Sequence, residues 1–445
     1  MGYCLRFWAL VINANKTTIH RLQIGDKMET LFIKGGRKLG GELDIVTAKN
    51  ALLPILAGSI ISDKNVILKK VAKFSDVMYM VKILESLGVE AKFEGDTLIL
   101  SPKHAYAHVV KDEYTKKVRS SVFLLGPLLS RFGNAKIAYP GGCNIGNRPI
   151  NLHIKGLEAL GVKIEEKHGY IICDGKNMSA GEVHLDFPSV GATENLMMAS
   201  VRLKGVTTIY NCAREPEIED LQNFLNSIGC KVSGAGSSTI VITGVESFKD
   251  CEYQPIHDRI VAGTYLIACA MCGGNILLKG CEKKYNQALI QKLKQSGAIV
   301  EDLGKDIEIK SSGKLKSIPS IETQPYPGFP TDLQNQILAM QTITKGTSVV
   351  VENLYESRFK ICNELLRMGA DITIKDRMAI INGVERLYGA NVVASDLRGG
   401  AGLVLAGLVA DGYTTVEDIY HIDRGYLSIE EDFCKLNAEI QRITD

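Results

Sequence analysis

The sequence predicts an α/β protein of two lobes, built from six copies of one unit of about 70 residues. Three observations predict this fold class: a helix-ending signature recurs at a nearly constant interval, an amphipathic helix precedes each copy, and short alternating strands follow it. A unit of this size cannot bury both of its faces alone, so we expect the copies to group in threes around two cores. The cleft between two lobes is a preferred place for a ligand.

The helix-ending signature is usually an apolar residue, then glycine, then a small residue, which suits the left-handed conformation in which many helices end. The six copies centre on Gly88, Gly161, Gly229, Gly297, Gly369 and the degenerate Asn437. Successive centres are 73, 68, 68, 72 and 68 residues apart. This interval indicates six structural repeats.

Each repeat has the same order of predicted elements. Before the signature, Ile218, Leu221 and Leu225 are spaced by three and four residues, which puts them on one face of a helix. After the signature, residues 239–242 alternate as a short strand. Further upstream, each unit has a longer apolar segment, such as residues 51–61 or 402–409. A strand such as residues 348–351 follows that segment. The predicted unit is therefore helix, strand, helix, strand, strand.

The composition is that of an ordinary globular protein, with 52 basic and 50 acidic residues, and it gives no reason to expect nucleic acid or a membrane surface as a partner. The 11 cysteines form no disulfide framework, which favours a reducing, cytoplasmic compartment. Cys269 and Cys272 resemble a redox or zinc pair, but their apolar surroundings favour buried core residues. No window is apolar enough to span a bilayer. We expect residues 1–27 to be a disordered extension.

Polar residues interrupt the apolar pattern at two fixed places in the repeat. At the start of the first helix stand Lys49, Asn50, Arg119, Ser189, Thr193, Asp258, Arg259, Asp332 and Arg398. Just before the second helix stand Asp76, Arg148, Glu217, Tyr285, Arg358 and Arg424. Helix starts carry free N–H groups and a positive dipole end, and arginines bind carboxylate and phosphate in a bidentate way. Surface arginines and helix caps are the alternative interpretation, yet the recurrence predicts a site for a small, multiply charged ligand.

Cys143 lies in a segment with three glycines and a proline, which is typical of a loop that can approach a ligand closely. Lys136 and Arg148 are near it in sequence, and positive charge favours a reactive thiolate. A single loop cysteine is more often inert, and Asp332, which follows a proline at a helix entry, is ordinarily an N-cap. From the residue types alone, Cys143 can be reactive or inert, and Asp332 can belong to the site or be a helix cap.

The motifs resemble those of the UDP-N-acetylglucosamine 1-carboxyvinyltransferase family over residues 28–443. They are Ala48-Lys49-Asn50-Ala51, residues 140–149 around Cys143, Ser189-Val190-Gly191-Ala192-Thr193, Ala213-Arg214-Glu215-Pro216-Glu217, Phe329-Pro330-Thr331-Asp332, Glu356-Ser357-Arg358, Asp396-Leu397-Arg398 and residues 421–426. The resemblance implies the enolpyruvyl transferase fold, two inside-out α/β barrels of three units each. It places residues 49–257 in the first lobe, and 28–48 with 258–445 in the second.

The resemblance also implies the chemistry, in which the enolpyruvyl group of phosphoenolpyruvate passes to the 3-hydroxyl of UDP-N-acetylglucosamine at the start of peptidoglycan precursor synthesis. Lys49, Arg148 and Arg398 would hold phosphoenolpyruvate, and Arg424 would close on it. Asp332 would accept the hydroxyl proton, and Cys143 would protonate the methylene carbon or form a covalent adduct. The sugar nucleotide would be held by Asn50, Arg119, Arg148, Pro149, Ile150, Asn151, Leu152, Ser189, Val190, Asp332 and Leu354, and Arg358 completes the predicted substrate-binding set. No cofactor or metal is implied, and the oligomeric state stays open.

Two residues depart from the family pattern: Phe187 stands where some members have lysine, and Asn151 where an acidic residue is common. A 5-enolpyruvylshikimate-3-phosphate synthase is the nearest rival, since it shares the architecture but has no cysteine loop. A silent nucleotide-binding paralogue is the second rival.

Overall fold

The computed structural model describes residues 29–110, 112–115, 118–139 and 150–444. The expectations for residues 1–27 and for Cys143, Arg148 and Pro149 lie outside these ranges. Within them, the predicted order of helix, strand, helix, strand, strand is found repeatedly, and the α/β fold class is confirmed.

Thirteen helices lie in the described ranges. They are α1 (Lys49–Gly58), α2 (Ser75–Ser86), α3 (Asp112–Thr115), α4 (Leu125–Phe132), α5 (Asn151–Ala159), α6 (Val190–Ser200), α7 (Pro216–Ser227), α8 (Arg259–Cys272), α9 (Gln287–Ser296), α10 (Gln334–Gln341), α11 (Ile361–Arg367), α12 (Leu397–Val409) and α13 (Ile429–Lys435). The short α3 is an additional helix, and the other twelve are the first and second helices of the six units. Short 3-10 helices occupy Ser59–Ile61, Pro102–His104, Arg119–Leu124, Lys283–Tyr285, Thr331–Leu333, Arg358–Lys360 and Ile419–Arg424. The long first helices are almost entirely buried because they are apolar on all sides, as helices inside a large core are.

The described strands form six sheets, one for each repeat. In chain order they are β1 (Glu29–Lys34), β2 (Leu39–Asp44), β3 (Val66–Leu68), β4 (Glu90–Glu94), β5 (Thr97–Ser101), β6 (Asn134–Ala138), β7 (Lys163–Lys167), β8 (Tyr170–Asp174), β9 (Glu182–His184), β10 (Val206–Tyr210), β11 (Lys231–Ser233), β12 (Thr239–Thr243), β13 (Cys251–Tyr253), β14 (Gly274–Lys279), β15 (Ile299–Asp302), β16 (Ile307–Ser311), β17 (Ser320–Glu322), β18 (Thr347–Val351), β19 (Asp371–Lys375), β20 (Met378–Asn382), β21 (Asn391–Val393), β22 (Tyr413–Glu417) and β23 (Glu439–Thr444). The sheet orders are β13-β3-β5-β4, β6-β8-β7, β11-β12-β10-β9, β15-β16-β14-β2, β17-β18-β20-β19 and β21-β22-β1-β23.

Five of the sheets gain a parallel edge strand that the repeat pattern does not predict. Two of these strands are exchanged along the chain, since β2 pairs with β14 and β13 pairs with β3. The segments that follow them run side by side through an isolated bridge between Thr47 and His257, with Ala48 N–H donating to the Ile256 carbonyl over 2.8 Å. In the sheet of the last repeat, which has β21 as its parallel edge strand, β1 lies between β22 and β23 and supplies the last strand of that repeat.

The helix-ending signature has the conformation that its composition predicts. Gly88, Gly161, Gly229, Gly297 and Gly369 have φ values between 86° and 106°, and Asn437 has 69°. Glycine and asparagine tolerate this left-handed region better than other residues do. The signature therefore marks the same helix end in all six repeats, including the degenerate copy.

The buried apolar side chains form two clusters rather than one. The first core draws on residues 52–251, and the second on residues 31–45 together with 260–440. Cys269 is fully buried in α8 within the second core, and Cys272 packs against that core. None of the described helices is both long and apolar enough to cross a bilayer. The polar residues at the helix starts thus lie on two packed bodies. Helices α1 and α8 begin directly after the two segments that the bridge between Thr47 and His257 joins.

Candidate active site

The recurrent polar residues stand where the sequence predicts them, at the helix starts. Lys49 is the first residue of α1, Arg119 begins its 3-10 helix, and Asp332 lies in the 3-10 turn that enters α10. Ser189, Asp258 and Asp396 cap their helices, each with a side-chain oxygen that accepts backbone N–H groups. The N-cap interpretation thus holds for three of these residues, and not for Asp332.

An ion triad of Lys49, Asp76 and Arg424 joins the two cores. Lys49 Nζ lies 3.2 Å from Asp76 Oδ2, and Arg424 Nε lies 3.0 Å from Asp76 Oδ1. Burial acts to raise the pKa of Asp76, but the charges of Lys49 and Arg424 outweigh it and hold that pKa below its ordinary value. Burial lowers the pKa of Lys49, and Asp76 only partly opposes this. The charges of Arg398 and Arg424 lower it further, so three cations lie close together.

A second cluster places Asp332 between two arginines. Arg358 Nη2 lies 2.6 Å from Asp332 Oδ1, and Arg398 Nη2 lies 3.0 Å from Oδ2. The Asp332 side chain is 25% exposed, whereas both arginines are almost fully buried. Burial acts to lower the pKa of Arg398, but the charge of Asp332 raises it above its ordinary value. A carboxylate that faces solvent between two fixed guanidinium groups is placed to meet an incoming ligand.

Two of the guanidinium N–H groups in this cluster have no partner within the described part of the chain. They are Arg358 Nε and Arg398 Nη1, and both are buried. A buried donor without a partner is costly, and its cost is removed when an anion or another acceptor is bound. These donors favour an anion site here over a purely structural salt-bridge cluster.

Asp258 connects the starts of α1 and α8. Its Oδ1 accepts the N–H groups of Ile260 and Val261 at 2.9 Å, and its Oδ2 accepts the N–H of Lys49 at 3.1 Å. One carboxylate therefore fixes the first turns of two helices that belong to different cores. This fixes the backbone of Lys49 relative to the second core.

The loop that contains Leu354 is fixed beside Asp332 by Glu352. This buried carboxylate accepts the hydroxyl of Thr331 at 2.8 Å and the backbone N–H of Leu354 at 2.8 Å. Glu352 was missed in the sequence because a glutamate that follows a strand is usually solvated. It explains why Leu354 and Asp332, 22 positions apart, belong to one wall of the site.

The residues predicted to hold the nucleotide start three further elements of the first core. Ile150 is the buried residue that precedes α5, with Asn151 exposed and Leu152 half-buried at the helix start. Ser189 and Val190 start α6, and Phe187 lies exposed just before them. Arg119 and Asn50 are half-buried. The departures from the family pattern, Phe187 and Asn151, are thus both exposed at helix starts.

Acidic residues lie at another contact between the cores, the one that Glu217 makes with Arg259. Glu217 forms a bidentate pair with Arg259, with distances of 3.0 to 3.3 Å, and both are buried. Glu194, in α6, is fully buried, and neither carboxylate oxygen has a partner among the described residues. Burial, with the charges of Glu217 and Glu215 adding to it, raises the pKa of Glu194 well above its ordinary value. In the sequence, Glu194 is recognisable only as a charged residue in an apolar helix.

The thiols of the described residues are poor nucleophiles, with one exposed exception. Burial raises the pKa of Cys173, Cys230, Cys269, Cys281 and Cys362 to about 12 and that of Cys212 to about 11. Burial also raises the pKa of Cys251 and Cys272. Cys434 is exposed. Since thiolates are the reactive form, the raised pKa values disfavour reaction at these eight sites.

The fold and the cluster of cations at helix starts define a class of two-core α/β proteins, which comparisons with known proteins narrow to one family. Residues 33–433 match the family model of EPSP synthase (3-phosphoshikimate 1-carboxyvinyltransferase). UDP-N-acetylglucosamine 1-carboxyvinyltransferase 2 of Caldanaerobacter subterraneus is 48% identical, and the match covers 92% of this chain and 99% of that protein. UDP-N-acetylglucosamine 1-carboxyvinyltransferase 1 of Clostridium perfringens is 46% identical over 94% of this chain and its own full length.

Solved structures agree on the architecture. The enolpyruvyl transferase NikO of Streptomyces tendae superposes with a TM-score of 0.84 at 21% identity, covering 94% of this chain and all of that one. EPSP synthase of Acinetobacter baumannii gives 0.74 at 18% identity, with the same coverage. The chain belongs to the enolpyruvyl transferase family, in the group of the UDP-N-acetylglucosamine 1-carboxyvinyltransferases. The enolpyruvyl transferase fold expected from the motifs is confirmed.

Proposed function

We propose that the chain transfers the 1-carboxyvinyl group of phosphoenolpyruvate to the 3-hydroxyl of UDP-N-acetylglucosamine, releasing phosphate, as the first committed step of peptidoglycan precursor synthesis. The observation that carries the proposal is the cluster of Lys49, Arg398 and Arg424 next to Asp332, with buried guanidinium donors that have no partner among the described residues. The names of the 44–48% identical relatives supply the sugar nucleotide and the 1-carboxyvinyl group.

The cations suit phosphoenolpyruvate, which carries a carboxylate and a phosphate. Lys49 and Arg398 would hold these groups with Arg148, and Arg424 would contribute from the second core. Fixed cations stabilise the charge that develops on the leaving phosphate without reorganising during the reaction. Lys49 would act as both a binding and a catalytic residue in this arrangement.

Asp332 would act as the base for the sugar hydroxyl. Both of its oxygens are engaged by arginines, so the hydroxyl must take over one of them. An anion bound to Arg398 would compete for that guanidinium and weaken its pair with Asp332 Oδ2. Binding of phosphoenolpyruvate would thereby free the oxygen that the hydroxyl proton needs.

The reaction is an addition followed by an elimination. Cys143 would deliver a proton to C3 of phosphoenolpyruvate, the sugar oxygen would bond to C2, and Asp332 would take the hydroxyl proton. C3 would then lose a proton as the bond from C2 to the phosphate oxygen breaks, which restores the double bond and releases inorganic phosphate. The catalytic set is Cys143, Asp332, Lys49 and Arg398. The nucleotide set is Asn50, Arg119, Arg148, Pro149, Ile150, Asn151, Leu152, Ser189, Val190, Asp332 and Leu354, and Arg358 is a further substrate-binding residue.

We further propose that residues 49–257 form one lobe and residues 28–48 with 258–445 the other. The two hydrophobic cores and the bridge between Thr47 and His257 support this division. A cytoplasmic location stays a prediction.

The test is release of phosphate from phosphoenolpyruvate with UDP-N-acetylglucosamine and with shikimate 3-phosphate in parallel. We expect turnover with the sugar nucleotide alone. Turnover with the shikimate alone would establish the rival that the relatives do not favour, and absence of turnover with both would establish the silent paralogue.

The role of Cys143 has its own test, by an epoxide phosphonate such as fosfomycin that mimics phosphoenolpyruvate. We expect one covalent adduct, on the peptide that contains Cys143, formed faster with UDP-N-acetylglucosamine present. Cys143→Ser should lose labelling and most activity, whereas Cys143→Asp should escape the reagent and keep turnover. Cys434→Ser is the matched control, because Cys434 is the exposed thiol of the described residues. Labelling that Cys434→Ser abolishes would defeat the assignment.

A further inference from the structure

The side chain of Asn195, fully buried in α6, makes three hydrogen bonds to other elements of the first core. Its Oδ1 accepts the backbone N–H of Gly126 at 2.8 Å, and its Nδ2 donates to the carbonyl of Val122 at 2.9 Å. Nδ2 also lies 2.7 Å from His153 Nδ1. A backbone N–H can only donate and a carbonyl can only accept, so these two partners fix which end of the amide is which.

The orientation of Asn195 determines the tautomer of His153. Because Nδ2 is the donor, Nδ1 of His153 must be the acceptor, and the ring proton is on Nε2. Burial, followed by the charge of Arg119, lowers the pKa of His153 to about 4, so the ring is neutral near pH 7. A Cβ atom at Gly191 would lie 3.1 Å from His153 Nε2 and 2.9 Å from Cε1. The ring therefore packs against the first turn of α6, where a side chain at position 191 would crowd it.

The three elements that meet at Asn195 are those that carry the predicted nucleotide contacts. Val122 lies three residues after Arg119 in the same 3-10 helix. His153 directly follows Leu152 at the start of α5. Asn195 itself lies in α6, which begins at Val190 behind its cap Ser189. One amide thus ties together the three segments that begin at these residues.

We propose that Asn195, acting through His153, is a positioning residue of the sugar-nucleotide site: it sets the relative placement of the three segments without touching the substrate. The inference rests on the proposed function. Small misplacements of binding groups are expensive, since a shift of about 1 Å can cost on the order of 100-fold in rate. Lys49, Arg398 and Arg424, which are assigned to phosphoenolpyruvate, lie on none of these three segments, so loss of the amide should act mainly on the nucleotide.

The first test is Asn195→Asp, which keeps the shape but removes both donor bonds. We expect the Kd and KM for UDP-N-acetylglucosamine to rise about 10-fold or more, with kcat at saturating nucleotide and KM for phosphoenolpyruvate within about 3-fold. The matched control is Asn226→Asp. The side chain of Asn226, at the end of α7, likewise accepts a backbone N–H and donates to a carbonyl, both of Val232 and both over 2.8 Å. It should stay near wild type for both substrates.

A second pair covers the case in which Asn195→Asp does not fold. His153→Asn keeps an acceptor close to the position of Nδ1 and should retain nucleotide affinity, whereas His153→Leu removes the acceptor and should lose about 10-fold. Equal affinity for the nucleotide in these two variants would overturn the inference. So would a loss in Asn195→Asp that falls alike on kcat and on both substrates. Wild-type protein without turnover on UDP-N-acetylglucosamine defeats the proposed function, and this inference with it; active wild type with unselective variants defeats the inference alone.

Discussion

Among the described residues, the pair of Arg259 with Glu217 and the pair of Arg424 with Asp76 both cross between the cores, and they differ in what they can do. The pair of Arg259 with Glu217 is bidentate, and its side chains are 9% and 4% exposed. The pair of Arg424 with Asp76 is shared with Lys49, and the Arg424 side chain is 27% exposed. A buried, self-contained pair resists exchange, whereas a bound anion can compete for Arg424 and Lys49. We infer that the first contact is permanent and that the second responds to substrate.

The largest effect is expected from breaking the permanent contact. Glu217→Ala leaves the Arg259 guanidinium buried without its carboxylate, which should lower the free energy of unfolding by about 3–5 kcal/mol. Urea denaturation followed by circular dichroism measures this. The control is Glu94→Ala, which breaks an exposed pair with Lys92 and should change little. A Glu217→Ala protein as stable as wild type would show that this pair is not a permanent contact.

In the cation cluster that is expected to respond to substrate, the largest effect should come from Asp332, and it should be on turnover. Asp332→Asn removes the proposed base and should lower turnover about 100-fold or more at saturating substrates. Asp332→Glu keeps the charge for Arg358 and Arg398 but misplaces the carboxylate, so it should be more stable than Asp332→Asn and still slow. Steady-state phosphate release measures both variants. Turnover of Asp332→Asn within about 3-fold of wild type would remove Asp332 from the mechanism.

Breaking the responsive pair itself should cost less stability than breaking the permanent one. Asp76→Asn should lower the free energy of unfolding by about 1–3 kcal/mol at neutral pH, because Lys49 and Arg424 lose their counter-charge. The pKa of Asp76 is depressed on folding, so its contribution is present above its ordinary value of 3.8 and is lost as the pH falls below that value. Denaturation curves of both proteins between pH 3 and pH 7 measure this, and a pH-independent difference would contradict it.

The smallest effect concerns Glu194, next to the permanent pair. Its pKa is raised on folding, so its stabilising contribution is complete below the ordinary value of 4.5 and is lost as the pH rises towards the folded pKa. Glu194→Gln should therefore match wild type near pH 4 and exceed it slightly above that, by no more than about 1 kcal/mol at pH 5. Thermal unfolding over this range measures the gain. A variant less stable than wild type at every pH would show that the carboxylate has a specific partner.

The repeat order and the helix ends could be predicted because each rests on local signals, namely apolar spacing and a residue that tolerates positive φ. Asn437 shows how far this reaches, since it adopts the left-handed conformation of the glycines that it replaces. The parallel edge strands could not be predicted, because strands of three residues such as β9 and β17 carry almost no pattern. Their pairing is decided by tertiary packing.

The candidate site was predictable in its cations and less so in its anions. Lys49, Arg398 and Arg424 stand out from an apolar pattern, and the structure brings them together. Asp76 recurs at the same place in the repeat but was not assigned to the site, because nothing local shows that its partners are Lys49 and Arg424. Glu352 and Asn195 act through backbone groups of distant segments, which no spacing within one sequence reveals.

The strand β1 has a consequence for how the chain is made. It pairs with β22 and β23, the last strands to be synthesised, while β2 waits for β14. All the apolar residues of the first core lie in one uninterrupted stretch, so that core can fold while the ribosome is still at work. The second core must hold its opening segment unpaired until β22 and β23 have been synthesised. We therefore expect the first core to form on the nascent chain before the second core can close.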